Sequence, residues 1–142
     1  MGYKLIYNEN KVYDEYLENL YEKNYSHDLE YPPEHRYEIV LNWQDYWFHL
    51  VNSNDEIIAS CSVNKNQDGT YEIFDVFVEE KFRGNNYAVL LLMNVLYHFG
   101  ESKTSFKITT NVNNIPAIKS YKKVFGKPVQ IDEENVYFIL SM

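Results

Sequence analysis

The chain has 142 residues, enough for one domain whose core buries about two-thirds of the extended surface. It carries 13 Lys and Arg against 21 Asp and Glu, a formal net charge of −8, which argues against a nucleic-acid partner. No run approaches the roughly 18 apolar residues that span a bilayer, and the single cysteine, Cys61, excludes an internal disulfide. The lone cysteine and the lack of a secretory signal near the N-terminus predict one cytoplasmic domain over residues 1–142, without a membrane partner.

The first half of the sequence predicts one helix and three strands. Residues 12–25 place Tyr16 and Leu20 at helical spacing and so predict an amphipathic helix. Pro32-Pro33 interrupts the chain, and a short helical or irregular segment follows. Three segments have the apolar and β-branched residues typical of strands, at 4–7, 47–52 and 57–63, and the last two form a predicted hairpin with its turn at 53–55.

A strand, a turn and a helix between residues 71 and 100 are the most informative stretch. Residues 71–78, YEIFDVFV, predict a strand, and the apolar run from Ala88 predicts a helix that ends at Gly100. Between them lies RGNNYA, residues 83–88. A turn of this kind directs unpaired backbone N–H groups and the positive end of the helix dipole at one point. The stretch therefore predicts a pyrophosphate site, with a tightly packed strand–turn–helix as the alternative.

The rest of the chain predicts a strand at 105–112, a second helix and a closing hairpin. Pro116 falls in the first turn of this helix and Gly126 just past its end. The hairpin strands, at 129–131 and 136–140, enclose an acidic turn.

Two motifs resemble the acetyl-CoA site of GNAT-type N-acetyltransferases. The family's R/Q-x-x-G-x-G/A motif matches residues 83–88, with Asn86 in place of the middle glycine, and asparagine tolerates a positive φ well. The family's N-x-x-A-x-x-x-Y pattern matches residues 114–121, although Phe125-Gly126 reverses the usual Gly-Phe order. The resemblance implies an α/β (α+β) fold, a GNAT-like mixed central sheet of about seven strands flanked by about four helices. The expected order is one strand, two helices, three strands, a helix, a strand, a helix and two strands.

The resemblance also implies which residues hold the acetyl donor. Its pantetheine arm would hydrogen-bond along the fourth strand, where the Val76 N–H would act as an oxyanion donor. The residues predicted to bind acetyl-CoA are Val76, Phe77, Val78, Arg83, Gly84, Asn85, Asn86, Tyr87, Ala88 and Asn114.

Two side chains are predicted to take part in catalysis. By resemblance, the Tyr121 hydroxyl would donate a proton to the departing thiolate. Glu72 opens the fourth strand and is the predicted base, acting through water, with an exposed glutamate at the sheet edge as the alternative. Strand alternation puts Asp75 on the opposite face from Glu72, unless a bulge intervenes. The histidines lack the spacing of a metal site, so no metal is expected.

The basic charge of this acidic protein is concentrated around the proposed donor site. Residues 81–127 hold eight Lys or Arg and one acid, Glu101, a net of +7 that leaves −15 for the remainder. Coenzyme A carries a pyrophosphate and a ribose phosphate, which such a segment would attract. Residues 11–40 hold eight acids against three bases, which predicts a cationic acceptor, with a solvated surface as the alternative.

The sequence therefore predicts an N-acetyltransferase that moves an acetyl group from acetyl-CoA to a primary amine. The acceptor would be a small cation, such as a polyamine or an amino sugar, or a peptide amine. Two alternatives remain: a catalytically silent acetyl-CoA-binding interaction or sensor domain, and a structural domain that binds no nucleotide. Exposed aromatic side chains on the predicted strands are compatible with a homodimer.

Overall fold

Seven strands and two helices make up the described part of the computed structural model, which covers residues 3–7, 45–100 and 104–141. The helices are α1 (Tyr87–Phe99) and α2 (Ile115–Phe125), and a 3₁₀ turn covers Glu80–Phe82. The strands are β1 (Lys4–Tyr7), β2 (Tyr46–Val51), β3 (Ile57–Lys65), β4 (Tyr71–Val78), β5 (Ser105–Asn111), β6 (Gln130–Ile131) and β7 (Asn135–Ser141). The helix predicted at 12–25 and the segment after it lie outside the described residues. The expected helix count and the full element order therefore stay predictions.

The strands form one mixed sheet in the order β1-β2-β3-β4-β5-β7-β6. Every neighbouring pair is antiparallel except β4 and β5, which are parallel. Their pairing covers only three positions and ends at Ile73 opposite Ile108. Beyond this point β5 continues to pair with β7, while residues 74–78 of β4 pair with β3 alone among the strands of residues 3–7, 45–100 and 104–141. One edge of β4 is thus left open in the middle of the sheet.

A bulge changes the direction of side chains in β4. Ser62 pairs with Phe74 and Ser60 pairs with Phe77, so that two residues, Asp75 and Val76, lie opposite Cys61 alone. The inserted residue, Asp75, has a φ of 54°, a left-handed conformation that aspartate tolerates better than most residues.

This bulge overrides the simple alternation expected from the sequence. Tyr71, Ile73, Val76 and Val78 all contact the core under the helices. The Asp75 carboxylate instead lies beside Ser62, on the other face of the sheet, which is also the face of Glu72. The two acids therefore share a face, because one extra residue shifts the alternation after Phe74.

The core lies between the sheet and the two helices. Its largest fully buried side chains include Phe48, Phe106, Phe138, Leu91 and Leu92. Side chains of this size stabilise the fold by roughly 1.5–3 kcal/mol each when they are buried. The opposite face of the sheet carries polar residues that are equally buried, namely His49, Ser60 and Ser62.

The predicted strands and helices of the described ranges are confirmed, with shifts of one or two residues at their ends. The largest shift is in β3, which continues to Lys65 instead of ending at residue 63. The Lys65 N–H donates to the Asp45 carboxylate, 2.9 Å away, and Lys65 pairs with Tyr71. A tertiary contact thus extends this strand past its apolar part.

Candidate functional site

A groove of about 730 Å³ lies between the open edge of β4, the turn before α1 and one face of α2. This volume is typical of small-molecule sites, which range from roughly 300 to 1,000 Å³. Ten of the twelve predicted site residues line it: Val76, Phe77, Val78, Arg83, Gly84, Asn86, Tyr87, Ala88, Asn114 and Tyr121. The sequence motifs, which lie far apart in the chain, therefore meet in one cavity.

The turn before α1 presents a row of unpaired backbone donors to this groove. Gly84 and Asn86 adopt φ values of 83° and 63°, which bend the chain sharply into the helix. Within the described ranges, the N–H groups of residues 84–89 donate no hydrogen bond to the protein. The Arg83 N–H is different, because it donates to the Glu80 carbonyl oxygen at 3.2 Å. These six amides lie at the positive end of the α1 dipole, where an anion can bind.

Side chains hold this turn in place. The Asn86 Oδ1 accepts a hydrogen bond from the Lys123 Nζ at 2.8 Å, which ties the turn to α2. The Arg83 Nε donates to the Val78 carbonyl oxygen at 2.9 Å, and its guanidinium lies 5.3 Å from the centre of the Phe77 ring. The turn is thus connected to α2 through Asn86 and to the end of β4 through Arg83.

Backbone groups of β4 are also directed into the groove. The Glu79 N–H donates to the Ile58 carbonyl oxygen at 2.9 Å, which sets the alternation of β4 against β3. The backbone N–H and C=O groups of Phe77 then point towards Ser60 of β3. Those of Val76 and Val78 point away from β3, towards the groove. The Val76 N–H is therefore available to an extended ligand lying along this edge.

Tyr121 brings a protonated hydroxyl to the floor of the groove. Its side chain is 6% exposed and packs edge-to-face on Phe138, with 5.9 Å between the ring centres. Burial raises the pKa of Tyr121, and the negative charge of the Asp75 side chain raises it further. The hydroxyl is therefore a proton donor at neutral pH. Burial also raises the pKa of the Cys61 thiol, which leaves this cysteine unreactive.

Two predicted residues do not line the groove. Asn85 donates through its Nδ2 to the carbonyl oxygens of Phe82 and Arg83, both at 3.2 Å, and so stabilises the turn itself. Glu72 lies in the paired part of β4, between Asn64 of β3 and Lys107 of β5. Its role as the base stays a prediction.

Several groove residues were missed from the sequence, mainly on α2. Asn114 caps this helix, because its Oδ1 accepts from the Ala117 N–H at 3.3 Å. Helical spacing could have identified Ala117, which lies three residues after Asn114 and four before Tyr121. The missed residues are Phe82, Pro116, Ala117, Lys119, Ser120 and Lys123.

The described ranges contain no group of three or more His, Cys, Asp and Glu side chains that could hold a metal ion. Within the same ranges, no helix is long and apolar enough to span a bilayer.

Known structures share this fold. Arabidopsis thaliana Naa50, in complex with the bisubstrate analogue CoA-Ac-MVNAL, aligns over 100% of both chains with 20% identity and a TM-score of 0.71. Arabidopsis thaliana NAA60, in complex with a bisubstrate analogue, aligns over 96% of this chain and 97% of its own, with 16% identity and a TM-score of 0.69. A putative streptothricin acetyltransferase from Bacillus anthracis, in complex with acetyl coenzyme A, covers 70% of this chain and 63% of its own, with 19% identity and a TM-score of 0.54.

Sequence comparison identifies the family. No curated protein matches the chain. The model of the acetyltransferase (GNAT) family matches residues 10–126, which is most of the sequence and includes both motifs of the groove. The chain therefore belongs to the GNAT family of acetyltransferases and to the acyltransferase class of enzymes.

Proposed function

We propose that this protein transfers an acetyl group from acetyl-CoA to a primary amine. One observation carries the proposal: the unpaired amides of Gly84, Asn86, Tyr87 and Ala88 lie in the same groove as the Tyr121 hydroxyl and the free edge of β4. The amides suit the pyrophosphate of coenzyme A, and the strand edge suits the amide groups of its pantetheine arm. The thioester would then end close to Tyr121.

The charge of the groove supports an anionic donor. Three cationic side chains line it, Arg83, Lys119 and Lys123, and no acid is among its lining residues in the described part of the chain. Their field would raise the local concentration of a ligand that carries several phosphate charges. The affinity for acetyl-CoA should therefore fall as the salt concentration rises.

Two groups of the chain would act on the thioester. The Val76 N–H would donate to the carbonyl oxygen as negative charge develops on it, a contribution of roughly 3 kcal/mol to the barrier. The Tyr121 hydroxyl would protonate the departing thiolate. Acetyl-CoA supplies the activated acyl group, and the chain orients it and stabilises the charges.

The proposed acceptor is a primary amine, either a small cation such as a polyamine or an amino sugar, or a peptide amine. The net charge of −15 outside residues 81–127 supports a cationic acceptor. The Naa50 and NAA60 structures support a peptide amine, because both hold bisubstrate analogues and that of Naa50 includes the peptide MVNAL. The streptothricin acetyltransferase supports a small-molecule amine.

Two measurements on the purified protein test the proposal. Binding is measured as a thermal shift, since a ligand at 100 times its Kd adds about 2.7 kcal/mol of stability. Transfer is measured as release of free thiol from acetyl-CoA with polyamines, amino sugars and peptides as acceptors. Amine-dependent thiol release supports the proposal. A thermal shift without release from any acceptor indicates the alternative, a silent acetyl-CoA-binding domain, and the absence of any shift contradicts both.

A further inference from the structure

Two lysines on α2 form a positively charged rim along the donor groove. Lys119 and Lys123 both line the groove, and because they are four residues apart they lie on one side of the helix. Like charges at this spacing destabilise a helix. Both ion pairs found in the described ranges involve other lysines, so Lys119 and Lys123 have no acidic partner there. This lysine rim therefore carries two positive charges that an anionic ligand would neutralise.

The lysine rim and Tyr121 lie on nearly opposite sides of α2. Each lysine is two residues from Tyr121, and two residues correspond to a rotation of about 200° around a helix with 3.6 residues per turn. Tyr121 is buried at the floor of the groove, whereas both lysines are exposed at its margin. A donor that extends from the floor to the margin thus has its thioester near Tyr121 and its nucleotide near the lysine rim.

The lysine rim also adjoins the unpaired amides of the turn before α1. The Lys123 Nζ donates to the Asn86 Oδ1 at 2.8 Å. Asn86 is the N-cap of α1, but its side chain makes no capping hydrogen bond, so the first amides of the helix stay available to an anion. An ammonium group has three N–H donors, so Lys123 has two left for a ligand bound at the turn.

Coenzyme A has two anionic groups at its nucleotide end, a pyrophosphate and the 3′-phosphate of its ribose. The backbone amides of the turn suit the pyrophosphate. The 3′-phosphate is a monoester with a charge of about −1.5 to −2 at pH 7, which favours ammonium groups as partners. We propose that Lys119 and Lys123 bind the 3′-phosphate, and that the protein thereby selects coenzyme A over dephospho-coenzyme A. This assignment rests on the proposed use of acetyl-CoA and specifies which donor the groove accepts.

The third cation of the groove, Arg83, is directed towards β4. Its Nε donates to the Val78 carbonyl oxygen at 2.9 Å, and its guanidinium lies 5.3 Å from the centre of the Phe77 ring. Both partners belong to β4, along which the pantetheine arm is proposed to lie. Of the cations that line the groove in the described ranges, the two lysines are therefore those left for a second phosphate.

Calorimetric binding of CoA and dephospho-CoA, which differ in the 3′-phosphate alone, tests this assignment. Wild type should bind CoA more tightly by about tenfold, the low end for charge-assisted hydrogen bonds, because both lysines are exposed. In the double variant Lys119→Gln/Lys123→Gln, this ratio should fall below about threefold. The matched control is Lys122→Gln/Lys127→Gln, which removes the same charge from exposed lysines that do not line the groove. The control should keep the wild-type ratio.

The ratio of the two affinities separates phosphate recognition from a structural defect. Loss of the hydrogen bond from Lys123 to Asn86 can disturb the turn, but that disturbance weakens CoA and dephospho-CoA equally and leaves their ratio unchanged. Equal affinities of wild type for the two ligands overturn the assignment. A wild-type ratio in the double variant, or an equal fall of the ratio in the control, also overturns it.

The same measurements distinguish this assignment from the proposed function. If wild type binds CoA in preference to dephospho-CoA but acetylates no amine, the proposed transfer fails and the 3′-phosphate assignment stands. If wild type binds neither ligand, both fail.

Discussion

Replacing Tyr121 by phenylalanine removes one hydroxyl from the groove and leaves the ring in place. The ring is 6% exposed and packs on Phe138, a contact that phenylalanine repeats. Within the described ranges, no protein group is hydrogen-bonded to the hydroxyl, so its removal leaves no buried partner unsatisfied. We therefore expect the free energy of unfolding to change by less than about 1 kcal/mol.

The effect on catalysis should be much larger than the effect on stability. Loss of a general acid lowers kcat by about 10²–10⁴-fold, which corresponds to about 2.7–5.5 kcal/mol of barrier. Burial raises the pKa of Tyr121, so the neutral, donating form persists as the pH rises towards 10. Between pH 7 and 9, the ratio of wild-type to variant rates should therefore be constant.

Thiol release at saturating acetyl-CoA and amine measures this ratio. The matched control is Tyr97→Phe, because Tyr97 lies on α1 with 86% exposure and does not line the groove. Both variants should show the wild-type thermal shift with CoA. A Tyr121→Phe enzyme with kcat within threefold of wild type would refute the assigned role, and so would a rate ratio that falls steeply between pH 7 and 9.

Two further predictions concern stability. Burial lowers the pKa of His49 to about 4 from its ordinary 6.5, so the native ring stays neutral while the unfolded chain gains a proton below pH 6.5. The free energy of unfolding, measured in urea, should fall by about 2 kcal/mol more from pH 7 to pH 5 in wild type than in His49→Gln, and equal slopes would contradict this. At Asn86, with its φ of 63°, a valine should lower stability by about 1–3 kcal/mol and raise the KM for acetyl-CoA. Asn86→Gly loses the same hydrogen bond from Lys123 but has no strain at a positive φ, so it should have a smaller effect on both quantities. Equal melting temperatures of the two variants would show that the backbone there is unstrained.

Local sequence patterns predicted most elements of the described ranges correctly. The strand at 71–78 and the helix that starts beside Ala88 have composition and end signals that depend on neighbours in the chain. The anion site was predictable for the same reason, since a turn followed by a helix generates unpaired amides whatever packs around it. Asn86 shows this most clearly, because it adopts the positive φ that the motif needs without a glycine.

Long-range pairing decided what local patterns could not. The bulge at Asp75 depends on how β4 is aligned against β3, and it put Asp75 and Glu72 on one face where alternation had separated them. The position of Lys123 beside Asn86, at 2.8 Å, depends on the packing of α2 against the turn before α1. Neither the bulge nor this hydrogen bond can be predicted from the spacing of residues that are close in the sequence.

The amino-acid sequence by itself determined where the strands, helices and the anion-binding turn form, because these depend on backbone propensities within a few residues. Only the tertiary structure decided that the pairing of β4 with β5 stops at Ile73 and leaves a strand edge open beside Tyr121. The physical reason is that a hydrogen-bonded ladder is a property of two chain segments together. The groove exists where that ladder ends.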